Sequence, residues 1–378
     1  MAYELTEEQQ ELRAVVKSFL AKKIAPVAKA YDESGEFPLA LYQEGFALGL
    51  HMLDIPEPYG GAGLDHESFG VLLEEMGYWE PGFAMTVLAS SLACKCVLLG
   101  AVDEALKEAV MDRVAEGAIG AFCLTEPDSG SDAASLKTSY QKVGDEYVLN
   151  GSKCFITNGT YADFYIIFAT KDRSLGAKGI SAFLVERDRE GFMVDKHENK
   201  MGLRLSDTNG FALTDVHIPA NHLLGQEGQG FRIAMADLDA GRLNNASVAT
   251  GLCQAALDQA VAYAKTRVTF GKPIIKHPVV RDMLAHMATK VEASRQLTRY
   301  GMYRLNQGRR VTKEAAMAKA FSSDCAVSIT SDAVQILGGY GYSKEYPVEK
   351  MMRDAKIFQI FEGTNQIQNM VIGRELEK

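Results

Sequence analysis

Apolar residues near the start of the chain recur every three or four positions, which is the spacing of one face of a helix. Residues 12–20 follow this spacing, and Thr6 and Gln9 before them have the separation of an N-terminal capping box. Comparable patterns continue along the chain, interrupted by a Pro- and Gly-containing loop at 57–68. We predict an N-terminal helical domain over residues 1–117.

The sequence pattern changes near residue 118. Four short runs rich in β-branched and aromatic residues follow, separated by Gly, Asp, Asn and Ser: EYVLNG, FYIIFAT, ISAFLVER and FALTDVHIP. Short β-branched and aromatic runs separated by turn-forming residues are typical of β-strands. We predict a middle β domain over residues 118–226.

Helical spacing returns at Gly228 and is broken by a turn, TFGKP, at 269–273. Gly308 is placed to end one helix, and Thr312 to begin another that runs to Leu337. We predict a helical domain over residues 227–378. The order of elements therefore predicts a mainly α protein with a central β domain.

The charge balance limits the classes of partner. Forty Lys and Arg stand against 49 Asp and Glu, a formal net charge of −9, with a sequence pI near 5.4. An acidic surface disfavours broad binding to nucleic acid or anionic lipid. We expect no nucleic-acid partner, while a local basic pocket for one phosphorylated ligand stays compatible with this charge.

The six cysteines contain no CxxC pair and no Cys/His spacing typical of zinc. We therefore expect buried, reduced thiols and no metal site. The acidic start has no apolar signal core, and Lys95 interrupts the most apolar run, residues 87–102. These features predict a cytoplasmic protein without membrane insertion.

Two clusters of small hydroxyl side chains are candidates for ligand contact. FCLTEPDSGSD occupies 122–132, where the helical region meets the strands, and FITNG at 155–159 lies at a predicted strand end. The first cluster has the backbone freedom and polar groups to cradle a polar ring or a phosphate, but a solvated turn has the same composition. The second cluster in the same domain favours a ligand.

The glycines at 338, 339 and 341 resemble a phosphate loop only superficially. They have no preceding strand, and they lack the spacings of dinucleotide-binding and nucleoside-triphosphate loops. Their simplest role is to stop a helix.

Glu362 lies among Phe358, Ile360, Phe361 and Gly363. A carboxylate among large apolar groups is a candidate general base, because desolvation raises its pKa towards neutrality. An exposed glutamate at a helix end is the alternative that these residues leave open.

Several longer motifs point to one family. CLTEPDSGSD at 123–132 is similar to the first signature of the acyl-CoA dehydrogenases, and QILGGYGY at 335–342, continuing to Asp354, is similar to the second. The sequence resembles the short- and medium-chain and butyryl-CoA members over essentially its full length. Further matches in the same order are Lys200-Met201-Gly202, Ser206-Asp207, Arg267-Val268-Thr269-Phe270-Gly271 and Glu362-Gly363-Thr364.

The resemblance implies an N-terminal helical domain, a middle β-barrel-like domain and a C-terminal four-helix bundle. It implies non-covalent FAD held between them and across a subunit contact, in a homotetramer built from two dimers. The residues implied to line the flavin are Phe122, Leu124, Thr125, Ser131, Phe155, Thr157, Thr364 and Gln366. Those implied to reach the FAD of a neighbouring subunit are Arg267, Phe270, Gln335, Gly338 and Gly339.

One position departs from the family pattern. The glutamine that usually follows the TFGK motif, and that contacts the adenosine part of FAD, is matched here by Pro278. A proline side chain cannot donate that hydrogen bond. We therefore expect a weaker grip on adenosine.

The chemistry that the resemblance implies is α,β-dehydrogenation. Glu362 removes the α-proton of an acyl-CoA thioester while the β-hydride passes to flavin N5, which gives a trans-2-enoyl-CoA. The backbone N–H of Glu362 and a ribityl hydroxyl stabilise the enolate. Electrons then pass to electron-transferring flavoprotein. A subset of the family carries its base at the position matched by Gly241, so Glu362 is the only family-type base in this sequence.

The implied substrate-binding residues are Ser131, Phe231, Asp239, Arg242 and Gly363. Asp239 and Arg242 also have the spacing of a local ion pair on a helix, which is compatible with binding.

The segment 80–94 is implied to form a pocket wall. It contains no Arg, Lys or His, which disfavours glutaryl-CoA, and no acid beyond Glu80, which argues against 1,4-dehydrogenation of a cyclic enoyl thioester. We expect an uncharged short, medium, branched or cyclic acyl group.

Three alternatives stay open at this point. The same fold supports an enoyl-CoA reductase or an acyl-CoA oxidase. A CoA-thioester-binding protein that has lost catalysis is the third, and the presence of Glu362 argues against it.

Overall fold

Six α-helices make up most of the N-terminal part of the chain that the structure describes. The structure is a computed structural model and describes residues 4–195 and 197–378. The helices are α1 (Glu7–Phe19), α2 (Ala28–Ser34), α3 (Leu39–Phe46), α4 (His66–Trp79), α5 (Pro81–Gly100) and α6 (Glu104–Ala115).

Local sequence sets the start of α1 as predicted. The Thr6 hydroxyl accepts a hydrogen bond from the backbone N–H of Gln9 at 3.1 Å, and the Gln9 side chain accepts one from the backbone N–H of Thr6 at 3.2 Å. This reciprocal pair is the capping box. The apolar face behind it buries Val16 and Phe19.

The middle part of the chain forms an eight-stranded mixed sheet. Its strands are β1 (Gly120–Cys123), β2 (Ser139–Val143), β3 (Glu146–Thr157), β4 (Phe164–Thr170), β5 (Ile180–Glu186), β6 (Phe192–Val194), β7 (Thr208–Pro219) and β8 (Leu223–Leu224). The spatial order is β6-β7-β3-β2-β4-β5-β8, with β1 parallel to β4. Every residue of β4 is buried, as expected for a strand covered on both faces.

The sequence pattern missed the shortest strands. Residues 122 and 123, interpreted from sequence as part of a loop, lie in β1. Three- and four-residue strands such as β6 and β1 give too few alternations for periodicity to detect. The loop interpretation holds from residue 124 onward.

The C-terminal part is helical and contains one small hairpin. Its elements are α7 (Gly230–Ala236), α8 (Leu238–Thr266), β9 (Val268–Thr269), β10 (Lys272–Pro273), α9 (Pro278–Asn306), α10 (Thr312–Leu337), α11 (Val348–Ala355) and α12 (Asn365–Leu376). The predicted helix over Thr312–Leu337 is confirmed, as is its end at Gly338, which has a φ of 62°.

Close helix packing joins the N- and C-terminal parts. A Cβ atom at Gly251 of α8 would lie 2.0 Å from the carbonyl oxygen of Glu74 on α4, and one at Gly77 would lie 2.2 Å from the carbonyl oxygen of Val248. A side chain at either glycine would force α4 and α8 apart. Together with the central sheet, this arrangement confirms the predicted mainly α fold class.

Helix α5 passes through the core. In the described part of the chain it is long and apolar enough to cross a membrane by length and composition, but 72% of its most apolar window is buried inside the protein. Its charged residue, Lys95, is ion-paired with Asp54 at 2.8 Å and with Asp237 at 3.3 Å. A helix that is apolar all round and enclosed by other elements is a core helix.

A buried ion-pair cluster ties α5 to α11. The Lys350 ammonium lies 2.8 Å from the Glu80 carboxylate and 2.7 Å from that of Asp354. Asp354 also accepts the backbone N–H of Leu203 at 2.6 Å. Removing one partner of a buried pair is strongly destabilising, because it leaves an uncompensated charge.

We therefore expect Lys350→Met to lower the free energy of unfolding by about 3–5 kcal/mol. The measurement is urea or thermal unfolding of purified protein. Lys23→Met is the matched control, since Lys23 pairs with Glu44 at the surface and such pairs contribute little. Equal effects of the two substitutions would contradict the prediction.

Candidate active site

A cavity of about 400 Å³ lies where the helical parts meet the sheet. Its walls come from α5, the loop after β1, the end of β3, the helices α7 and α8, and residues 361–363. The cavity therefore exists only when all three parts of the chain are packed together. A concave, mostly apolar site with a few polar groups is typical of small-molecule binding.

Most of the predicted flavin and substrate residues converge on this cavity. Those that line it are Phe122, Leu124, Thr125, Ser131, Phe155, Thr157, Phe231, Arg242, Glu362 and Gly363. The two hydroxyl clusters, separated by more than twenty residues in sequence, thus share one wall.

A β-bulge turns the second cluster towards the cavity. The register between β3 and β7 shifts between Lys153 and Ile156, and Phe155 within the shift has a φ of 54°. Bulges re-aim side chains in this way. The ring of Phe155 is 66% exposed although it is large and apolar, which suits a contact with a flat ligand.

A buried ion pair shapes the first cluster. Lys153 is fully buried and donates to Glu126 at 2.7 Å and to the carbonyl oxygen of Leu124 at 3.2 Å. The Glu126 carboxylate also accepts the backbone N–H groups of Lys137 and Thr138. The loop is thereby closed on itself, which holds residues 124–131 against the cavity.

Glu362 lies between apolar and charged surroundings. Burial raises the pKa of its carboxyl above the ordinary value, and the charge of Asp237 raises it further. The positive charges of Arg242 and Lys319 and the amide of Asn245 oppose the shift. A carboxylate with a raised pKa in a partly closed cavity is suited to accept a proton near neutral pH.

Gly241 faces Glu362 from α8. A Cβ atom at this position would lie 3.5 Å from Oε2 of Glu362. An acidic side chain at 241 would thus reach the same region of the cavity. The absence of a side chain there leaves the space to Glu362.

Arg242 borders the cavity with spare hydrogen-bonding capacity. It pairs with Asp239 at 3.1 Å, and Asp239 in turn accepts a hydrogen bond from the Thr312 hydroxyl at 2.6 Å. Among the described residues the buried Nε of Arg242 has no hydrogen-bond partner. Asp239 does not line the cavity, and the predicted local ion pair is present.

The α5 wall is apolar. Met85, Leu88, Ala89 and Leu92 line the cavity at helical intervals, and none of them carries a charge. A buried carboxylate at the tip of a substrate would find no partner on this wall.

The remaining predicted residues lie elsewhere. The Thr364 hydroxyl caps α12 by accepting the backbone N–H of Ile367, and Gln366 is exposed on that helix. Arg267, Gly338 and Gly339 line a second, open cleft of about 590 Å³. Gln335 is exposed near it, and Phe270 projects from the β9–β10 hairpin with 95% of its surface exposed.

Pro278, the departure from the family pattern, is the first residue of α9. Proline suits this position because its fixed φ matches the helix and no N–H is needed there. Local helix geometry therefore accounts for the proline, while its effect on adenosine binding stays a prediction.

Sequence reasoning missed the residues that surround Glu362 from other elements. Asn245 and Lys319 act on its carboxylate from α8 and α10, and Asp237 does so from the α7–α8 junction. Met235, Leu238 and Phe361 complete the apolar lining. The family resemblance had located the α5 wall through the segment 80–94, but it gave no signal for Asn245 of α8 or Lys319 of α10.

The cavity residues fit a flavin. Aromatic and aliphatic side chains at Phe122, Leu124 and Phe155 offer faces for a planar ring system, and the hydroxyl groups of Thr125 and Thr157 offer hydrogen bonds to its polar edge. Among the described residues no group of His, Cys, Asp and Glu side chains could hold a metal ion.

Sequence models of three domains of one family match successive parts of the chain. The acyl-CoA dehydrogenase N-terminal domain matches residues 6–118, the middle domain 121–216 and the C-terminal domain 228–377. An acyl-CoA dehydrogenase of Bacillus subtilis (strain 168) is 44% identical over 373 residues, which cover 98% of each chain.

Solved structures match equally closely. The butyryl-CoA dehydrogenase of Megasphaera elsdenii superposes with a TM-score of 0.96 at 43% identity, covering 100% of both chains. A chain of the structure described as the electron transferring flavoprotein of Acidaminococcus fermentans also has a TM-score of 0.96, at 42% identity over 100% of this chain and 99% of that one. The family resemblance noted in the sequence is thus confirmed.

The chain belongs to the acyl-CoA dehydrogenase family, whose members are flavoprotein oxidoreductases that act on CH–CH bonds.

Proposed function

We propose that this protein is an FAD-dependent acyl-CoA dehydrogenase in which Glu362 removes the α-proton of an acyl-CoA thioester. The product would be a trans-2-enoyl-CoA, and FAD, when bound, would supply the acceptor of the β-hydride at flavin N5. One observation carries the proposal: the carboxylate of Glu362 borders an apolar cavity that also exposes the two hydroxyl clusters.

Proton removal requires Glu362 to be ionised yet poorly solvated. Burial weakens the solvation of the carboxylate and so strengthens it as a base, while Arg242 and Lys319 keep the ionised form accessible. A thioester held against Phe361 and Leu88 would lie in the same cavity as this carboxylate. The same apolar enclosure excludes water from the reacting atoms.

Phe122, Leu124, Thr125, Phe155 and Thr157 would hold the flavin. When bound, FAD would supply the hydride acceptor and, through a ribityl hydroxyl, one of the two donors to the thioester carbonyl. The backbone N–H of Glu362 would supply the other. Ser131 and Thr364 are further proposed flavin contacts.

The substrate is proposed to be an uncharged short, medium, branched or cyclic acyl thioester. The apolar α5 wall favours such a group, and Phe231 and Gly363 border it. We assign the CoA portion to Arg242 and Asp239, where the unpartnered Nε of Arg242 offers a donor.

Electrons from the reduced flavin are proposed to pass to electron-transferring flavoprotein. The match to a chain of the Acidaminococcus fermentans structure supports this acceptor. We also propose a homotetramer that works in the cytoplasm. The six cysteines are free and mostly buried, which suits a reducing compartment.

Replacing the base isolates its role. Glu362→Gln should leave flavin binding intact but slow anaerobic bleaching of the flavin by an acyl-CoA by about 10²–10⁴-fold, the usual contribution of a positioned base. In the wild-type protein the ionised carboxylate is the active form, so the rate should fall as the pH drops through the raised pKa of Glu362, above its ordinary 4.5. Stopped-flow absorbance measures both effects. Bleaching at the wild-type rate by the Gln variant would show that another group is the base.

The α5 wall predicts discrimination against charged acyl groups. Glutaryl-CoA should give a kcat/KM at least about 100-fold lower than pentanoyl-CoA, since an unpaired buried carboxylate costs several kcal/mol. Steady-state assays with a dye acceptor provide the measurement, and peroxide release in air reports oxidase activity. Comparable values for the two thioesters would contradict the proposed pocket.

The exposed aromatic side chain of Phe270 predicts a contact that only the assembly completes. A large apolar residue with 95% exposure and a φ of 47° is expected to be covered by a partner or a ligand. Phe270→Ser should therefore lower the flavin content of the protein after gel filtration several-fold. Val102→Ser is the control, because Val102 is 81% exposed on the N-terminal part and should have no effect. Full flavin retention by both variants would remove Phe270 from the site.

A further inference from the structure

Lys319 is a buried cation that, among the described residues, is hydrogen-bonded to no carboxylate. It lies on α10 with 1% of its surface exposed. Its hydrogen bonds go to the carbonyl oxygen of Gly363 at 2.7 Å and to Oδ1 of Asn365 at 3.1 Å. Burying an ammonium group is costly unless something compensates for the lost water.

The two bonds hold the segment that carries Glu362. Glu362 and Gly363 have φ values of 54° and 88°, and a left-handed conformation at a glutamate persists only when the surroundings impose it. The Gln368 side chain donates to the carbonyl oxygens of Glu362 at 3.1 Å and Gly363 at 3.0 Å. Lys319 on α10 and Gln368 on α12 therefore both hydrogen-bond to the backbone of the Glu362–Gly363 turn.

The charge of Lys319 also acts on the carboxylate. The groups that act on Glu362 are Arg242 on α8, Lys319 on α10, Asp237 at the α7–α8 junction and the amide of Asn245. Those that act on Lys319 are Glu362, Arg242 and Asp324. Burial lowers the pKa of Lys319 to about 8, against the attraction of Glu362, so the lysine is cationic at neutral pH.

We propose that Lys319 is a positioning residue for proton removal: its ammonium group fixes the Glu362–Gly363 turn to α10 and favours the ionised carboxylate of Glu362. This inference rests on the proposed role of Glu362 as the base. Lys319 would touch no reacting atom and would act only through Glu362.

The test compares the pH dependence of flavin bleaching in the purified holoenzyme. With Lys319→Met, loss of the nearby positive charge should raise the pKa of Glu362 and move the acid limb of the rate upward by about one pH unit. The rate on the plateau should fall roughly tenfold, because the turn is less well held. The acyl-CoA concentration giving half the maximal rate should change little.

Lys290→Met is the matched control. Lys290 lies on α9 and donates to the Ser328 hydroxyl on α10 at 2.7 Å, so this variant also removes a lysine bonded to α10. Its acid limb should stay at the wild-type pH. A folded, flavin-bound Lys319→Met with an unshifted acid limb would overturn the inference, as would an equal shift in Lys290→Met.

A second variant keeps the test decisive if Lys319→Met does not fold. Lys319→Gln keeps an N–H donor but removes the charge, so the acid limb of its rate should shift to higher pH as in Lys319→Met. An acid limb at the wild-type pH would again overturn the inference. Glu362→Gln separates this failure from that of the proposed function. If the flavin of Glu362→Gln is bleached at the wild-type rate, Glu362 is not the base. If only the Lys319 variants behave like the wild-type protein, the proposed role of Glu362 still stands.

Discussion

The site depends on keeping one carboxylate ionisable inside an apolar cavity. Desolvation of Glu362 raises its pKa, and burial without opposing charges would favour the protonated form, which cannot serve as the proposed base. Two cations and an amide oppose that shift from α8 and α10, and Asp237 works in the other direction. The packing of α8, α10 and the 361–363 segment around one another is therefore an electrostatic requirement as well as a hydrophobic one.

Buried ion pairs align the separate parts of the chain at this cavity. The Lys153–Glu126 pair closes the loop after β1, the Lys350 cluster joins α5 to α11, and Lys95 joins α5 to the α7–α8 junction. Such pairs add little net stability over apolar residues of similar size, but they tolerate few alternative arrangements, since every misaligned packing would leave a charge unpaired. In this protein all three lie where elements distant in sequence must meet, so we interpret them as devices that fix the geometry of the site.

Local patterns in the sequence predicted the main helices and strands, but they did not predict which residues of distant helices and strands contact each other. The capping box of Thr6 and the helix from Thr312 to Leu337 were predictable because their signals lie within a few residues. The motif around Glu362 was predictable through its resemblance to a family. The roles of Lys319 and Asn245 were not predictable. Glu362 follows them in the chain by 43 and 117 residues, and nothing in the sequence near either residue indicates that it acts on that carboxylate. Phe155 is intermediate: its cluster was visible, whereas the bulge that exposes its ring arises from pairing with β7.

The absence of a side chain at Gly241 keeps a second acid away from the carboxylate of Glu362. A Cβ atom at 241 would lie 3.5 Å from Oε2 of Glu362. The carboxylate of an acidic side chain at 241 would therefore lie close to that of Glu362. Two carboxylates at such a distance titrate as a coupled pair, in which one pKa rises further and a proton is shared. The proposed base would then be protonated more of the time, and a protonated carboxyl cannot accept the α-proton. The glycine at 241 thus leaves the carboxylate of Glu362 without a second carboxylate beside it, and it would also leave room there for the proposed acyl thioester.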